Sequence, residues 1–269
     1  MERSSVGKAL QAKLTESVTE LVDKRTSELM TEVRAVRKEL AETREQLAEA
    51  VRMFEVRHRR DMIFAGEARA ARESEQFIAD HLMHARPLPH PVETVRYAAG
   101  LVKIDGTVVK VGVHAGEGLL LLAERLHGRE IYGFDTFAGL EDDWRPGYTA
   151  GMLGQDDPPK VRGATVVPGP YDETVPAFLA EHPGPIALLH LDANEYSVTA
   201  KALELLGDRL VPGSVVLLDE YVNYPGWQQH EFRAWTEFVE RTGIEFRYEA
   251  YTFDNEQVVV TVTATGTTG

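Results

Sequence analysis

The sequence predicts an α/β protein, with a mostly parallel sheet of seven strands from about Pro91 onward carried behind one long N-terminal helix. Three observations predict it. The first proline is Pro87, and Gly7 is the only glycine before Gly66, so about sixty residues run without a helix breaker. Beyond the segment Arg86-Pro-Leu-Pro-His-Pro91, short apolar runs alternate with helix-length segments and glycine turns, the pattern of parallel strands joined by crossover helices. Several of those runs end in Gly or Asp, at the carboxyl ends of strands where such sheets bind ligands.

The chain divides into an N-terminal helical segment (residues 1–60), a helical connector (61–90) and the sheet domain (91–269). In the first segment Leu, Ala, Glu, Lys and Arg dominate, and Val33, Leu40, Leu47 and Phe54 recur every seven residues. Met30 and Val51 lie on an adjoining stripe, which Arg37 and Arg44 interrupt. A helix this long with an apolar edge buries that edge somewhere, so a coiled coil that makes a homo-oligomer is favoured over a solvated single helix. The connector holds a second helix, about Glu67 to His84, and the proline cluster after it marks the boundary.

Composition narrows the function. With no cysteine, disulfide scaffolds, cysteine nucleophiles and thiolate metal sites are excluded. The net charge is −14, and it lies in the sheet domain: residues 1–60 hold 13 basic and 11 acidic side chains, the remainder 16 and 32. Such a body repels phosphate backbones and anionic lipid, so neither nucleic acid nor a membrane surface is an expected partner. The first residues lack the apolar stretch of a signal peptide, and no run approaches a membrane span, so a cytoplasmic location is expected.

The candidate strands are 108–113, 130–134, 165–167, 186–191, 214–218, 246–250 and 258–263. The first ends in Val111-Gly-Val-His-Ala-Gly-Glu-Gly118 and opens into a helix, a turn in which Gly112, His114 and Gly116 lie where a backbone can approach an anionic ligand. A tight turn without a ligand uses glycine as well. The second ends in Asp135-Thr136, about twenty residues on, where an acidic residue accepts the hydroxyls of a ribose. The alternative is a cap, with Asp135 or Thr136 holding free backbone amides. The fourth and fifth runs bring Asp192, Asp219 and Glu220 to one sheet edge, and hard oxygen ligands there suit magnesium or another divalent cation. The alternative is that some of the three are solvated or capping.

These residues resemble a known family. The stretch Gly133-Phe-Asp-Thr-Phe-Ala-Gly-Leu140, then His190-Leu-Asp192, Leu218-Asp-Glu-Tyr221 and Asn223-Tyr-Pro-Gly-Trp227, is similar to class I methyltransferases of the macrocin O-methyltransferase group, enzymes that methylate sugar hydroxyls. The likeness covers about residues 91–262 and implies a Rossmann-like class I methyltransferase sheet. It implies that Asp135 binds the ribose of S-adenosylmethionine, and that Gly112 to Gly116 pass under its methionine end with His114 beside it. Gly169-Pro-Tyr171-Asp172 then lies near the adenine. It also implies that Asp192, Asp219 and Glu220 hold magnesium beside the acceptor, with Asp192 a candidate base. Two positions depart from the pattern. Lys110 stands where a glutamate is usual, reversing a charge near the cofactor, and Asn194 replaces an acidic residue, with Glu195 next to it as a substitute ligand.

The expected function is therefore metal-assisted transfer of a methyl group from S-adenosylmethionine to a hydroxyl of a sugar, glycoside or oligosaccharide. Alternatives are methylation of a phenol or amine on a small metabolite, and a non-catalytic scaffold worked by its long helix. His230 is a second candidate base, against a structural role. The polar segment between Leu140 and Arg162 is expected to cover the acceptor, with Trp144 and Tyr148 stacking on a sugar face, or else to be a surface loop.

Overall fold

The computed structural model describes residues 2–266, with side chains from residue 10 onward. The chain forms two compact units, Met1–Asp61 and Met62–Gly269.

The first unit is one helix, α1 (Glu2–Arg60), about 88 Å long at 1.5 Å per residue. Its described side chains are all exposed within the chain. Val22, Leu29 and Val36 interleave at spacings of three and four with Val33, Leu40, Leu47 and Phe54. The stripe adjoining the heptad row thus runs through 22, 29 and 36, with Thr43 and Ala50 continuing it. Met30, Arg37, Arg44 and Val51 lie on the other side of the heptad row.

The second unit opens with α2 (Met62–His81), whose Ala70 and Ser74 are buried and whose Phe77 ring packs 5.5 Å from Trp227 and 5.4 Å from Phe232. The elements that follow are β1 (Arg86–Leu88), α3 (Pro91–Leu101), β2 (Thr107–Val111), α4 (Glu117–Arg125), β3 (Ile131–Asp135), β4 (Thr165–Pro168), α5 (Tyr171–Glu181), β5 (Ile186–Leu191), α6 (Tyr196–Leu206), β6 (Val215–Leu218), α7 (Glu231–Thr242), β7 (Glu245–Thr252) and β8 (Val258–Ala264).

The strands form one eight-stranded sheet in the order β1-β7-β8-β6-β5-β2-β3-β4. All pairs are parallel except those of β8, which runs antiparallel to both neighbours. The seven expected strands are present. The eighth, β1, comes from the proline-rich boundary: Pro87 lacks an N–H to give a ladder, and an edge strand tolerates that. Its neighbour Pro91 occupies the first turn of α3, where the missing N–H costs nothing.

The central strands β2, β5 and β6 are buried along their whole length, as parallel strands covered on both faces must be. One face carries α3 and α4 over Val108, Leu188, Val215 and Leu217. The other carries α5, α6 and α7 over Val109, Val111, Leu189, Leu191 and Val216, with Ala70 of α2 joining that core. From β2 the chain moves outward through β3 and β4, then returns to the other side of β2 as β5. The strand order therefore reverses between β2 and β5, which makes their carboxyl ends the place for a ligand. Among the described residues no helix is long and apolar enough to cross a membrane.

Candidate active site

A cleft of about 320 Å³ opens at that reversal point. One wall comes from the turns after β2 and β3. Gly112 adopts a left-handed φ of 83°, and a Cβ there would stand 1.8 Å from the Asp192 carbonyl oxygen, so glycine is what lets the ends of β2 and β5 close on each other. Asp135 ties this wall together: Oδ2 accepts from the backbone N–H of Val113 (2.7 Å) and His114 (2.9 Å), and Oδ1 from that of Phe137 (2.7 Å). Gly112, His114, Asp135, Thr136 and Tyr171 all line the cleft.

The opposite wall is the ends of β5 and β6 together with a folded loop. Side chains alternate along a strand, so Lys110 of β2 and its register partner His190 of β5 point to the α4 face. Both are buried in otherwise apolar runs, and each holds a carboxylate. Lys110 Nζ, on a side chain 1% exposed, donates to Asp192 Oδ2. His190 Nε2 meets Asp219 Oδ1 at 2.9 Å, and Gln257 Nε2 donates to Asp219 Oδ2 at 3.3 Å. Burial, reinforced by the Lys110 charge, lowers the His190 pKa, so the ring is neutral. Behind them Glu220 and Glu231 are buried, and Glu231 Oε2 accepts the Glu220 N–H at 2.9 Å. Burial first, then the charge of Asp192 for Glu220 and of Asp219 for Glu231, pushes both carboxyls well above the usual range.

The loop between β3 and β4 is anchored. Leu140 and Gly151 exchange bonds with Met152 and Leu140, and Gln155 N–H donates to Phe137. Glu195 accepts from the N–H groups of Glu141 (3.2 Å) and Asp142 (2.6 Å). Trp144 packs edge-on against Tyr148 and Tyr224, with the Arg145 guanidinium 4.0 Å from its ring centroid and 2.8 Å from Glu256.

Residues 109–221, which contain both walls, match a family described as a methyltransferase domain. Those residues form a methyltransferase domain, set in a sheet of the class I methyltransferase fold. Among solved structures, the chain is similar to the calicheamicin methyltransferase CalS11, with 24% identity over 63% of this chain and 77% of that one and a TM-score of 0.51. The O-methyltransferase NovP is similar at 20% identity over 64% and 79%, also with a TM-score of 0.51. No curated protein matches the sequence.

Set against the residues expected from sequence, the fold brings Gly112, His114, Asp135, Thr136, Tyr171, Asp192 and Glu220 to one cleft. Gly116, Asp172, Asp219 and His230 are not among its lining residues. Gly116 begins α4 with φ 87°, and a Cβ there would meet Val161 at 2.8 Å; Asp172 lies in the first turn of α5. His230 precedes α7 beside the Tyr224 ring, 6.1 Å away, and burial lowers its pKa. Asp135 combines both expected roles, a cap for three amides and a cleft residue.

At four places the geometry adds partners that the sequence did not show. The group whose ligand atoms lie within 4.8 Å of those of Asp192 and Asp219 is His190, while Glu220 lines the cleft with a buried Oε2 that has no hydrogen-bond partner. Lys110 pairs with Asp192, because strand alternation turns it toward the α4 face. Glu195 is occupied by two loop amides and braces the wall. Trp144 is 7% exposed, packed against Tyr148 and Tyr224 under the Arg145 guanidinium, and still lines the cleft. Sequence reasoning missed His190, Arg145 and Glu231 as parts of the site. The histidine had a signal: a lone imidazole inside the apolar run Ile186–Leu191 needs a buried partner.

Proposed function

We propose that this methyltransferase acts on a hydroxyl of a sugar or glycoside, with Asp192 as the base. The carrying observation is that one cleft holds the turns expected to seat the cofactor and, facing them, Asp192, whose side chain is 31% exposed and half engaged by Lys110. S-adenosylmethionine supplies the electrophilic methyl group. The acceptor oxygen forms its bond to that carbon as the sulfur–carbon bond breaks, the electron pair stays on sulfur, and the hydroxyl proton passes to Asp192. Sulfonium and carboxylate both end neutral, so a partly buried cleft favours the transfer. Oxygen as the acceptor atom accords with NovP, an O-methyltransferase, and the sugar with the likeness to the macrocin group.

The residues do not fit the expected magnesium ion. Both oxygens of Asp219 and one of Asp192 are bonded to protein groups, and Lys110 already supplies the positive charge. No step is therefore routed through a metal.

The test is calorimetric titration with S-adenosylmethionine and S-adenosylhomocysteine, repeated on Asp135→Ala, followed by a screen of nucleotide sugars and glycosides against catechols and amines. Micromolar binding that the variant loses, with turnover on a sugar, supports the proposal; absence of binding rejects it. A further part of the proposal is that α1 pairs with α1 of a second copy, supported by the apolar row it exposes.

A further inference from the structure

We propose that Lys110 is the resident cation of the acceptor wall, occupying the charge position a divalent ion would take, so that this chain's site excludes metal. The inference rests on the methyltransferase reading for the use of the cleft. Its test reads metal binding, so the two can fail separately.

A lysine inside a strand buried on both faces is retained only where its charge is matched, because an unpaired buried ammonium is strongly disfavoured. The match is Asp192 Oδ2. The fold also makes room for the side chain. Gly118, in the first turn of α4, lies over it, and a Cβ there would come 3.2 Å from Lys110 Cε, 3.6 Å from Nζ and 3.8 Å from His190 Cε1. Any larger residue would press on the ammonium, so lysine, glycine and aspartate fit one another as a set.

The donors nearest the ion pair are engaged too, while His190 Nδ1 and Glu220 Oε2 are buried without a partner. His190 Nε2 is hydrogen-bonded to Asp219, and Gln257 takes the other oxygen of that carboxylate. A dication placed among His190, Asp192 and Asp219 would have to break the ion pair and then sit within a few ångströms of the freed ammonium, where repulsion in a poorly solvated pocket is large. Lys110 is thus a positioning residue: it fixes Asp192 and leaves that carboxylate's second oxygen for the acceptor proton.

The experiment is titration of the full chain with Mn2+, following free ion by its electron paramagnetic resonance signal, with and without S-adenosylhomocysteine. The wild type is expected to show no Asp192-dependent site tighter than millimolar. Lys110→Met is expected to gain a site at least tenfold tighter, which the double variant with Asp192→Asn loses again. Micromolar binding by the wild type that Asp192→Asn abolishes overturns the proposal, as does a folded Lys110→Met variant that gains nothing. Should Lys110→Met not fold, the comparison of wild type with Asp192→Asn decides alone.

Discussion

At the scale of single residues, the acceptor wall is a chain of paired charges whose members have separable effects. Gly118→Ala sets two terms against each other. Alanine is favoured over glycine in a helix by about 1 kcal/mol, but here its methyl would press on a lysine anchored by an ion pair, and overpacking costs about 1–3 kcal/mol. The net expectation is a loss of about 1 kcal/mol in chemical denaturation, with the sign reversed in a Lys110→Met background where the anchored ammonium is gone. Glu231 gives a pH signature. Its folded pKa is raised by burial and by Asp219, so the folded chain keeps a proton that the unfolded chain releases above the ordinary carboxylate range. That stabilisation is complete at low pH and is lost as pH rises through the folded pKa, by up to about 1.4 kcal/mol per pH unit. Glu231→Gln should flatten this fall, so that the variant gains on the wild type as pH rises above the ordinary carboxylate range in urea titrations; parallel curves would overturn the raised pKa. Of these residues Asp192 and Asp219 were legible in sequence because each ends an apolar run. Lys110 was visible as a departure, but its partner was not, since only strand register puts it beside residue 192.

At the scale of elements, the strands were legible because β2, β5 and β6 are uninterrupted apolar runs, and the strand β1 was not, because three residues around a proline carry no periodicity. The loop between β3 and β4 shows the same limit. Its length and polarity marked it as functional or mobile, whereas its order comes from residues far along the chain: Glu195 holds the amides of Glu141 and Asp142, and Glu256 holds Arg145. The loop is a fixed wall whose geometry depends on those struts. Glu195→Ala leaves two amides without their acceptor, and bonds to a charged group contribute about 1.5–3 kcal/mol each. The wall it releases lines the cleft through Glu141, Trp144 and Arg145. Steady-state kinetics should show the acceptor KM raised about tenfold, the scale of one such bond, while calorimetric affinity for S-adenosylhomocysteine stays unchanged. A parallel loss of cofactor affinity would mean that the loop also seats the cofactor.

At the scale of the whole molecule, the two units divide the work. The second unit contains every residue that lines the cleft and both apolar layers of the sheet. The first is one helix with no buried face of its own among its described side chains. An isolated helix in water gains little from propensity alone and depends on burying an apolar edge. The row through Val22, Leu29, Val33, Val36, Leu40, Leu47 and Phe54 supplies such an edge, and a second copy of the same helix would cover it. The charges fit this division as well: residues 1–60 carry 13 basic and 11 acidic side chains, close to balance, so two such helices do not repel strongly, while the second unit carries the acidic excess. Removing residues 1–60 should therefore convert a dimer or higher oligomer into a monomer by light scattering. Affinity for S-adenosylhomocysteine should change by less than about twofold, since a twofold change is well under 1 kcal/mol. If the shortened chain lost cofactor binding, α1 would have to belong to the site; if the full chain were itself monomeric, the exposed row would await a different partner.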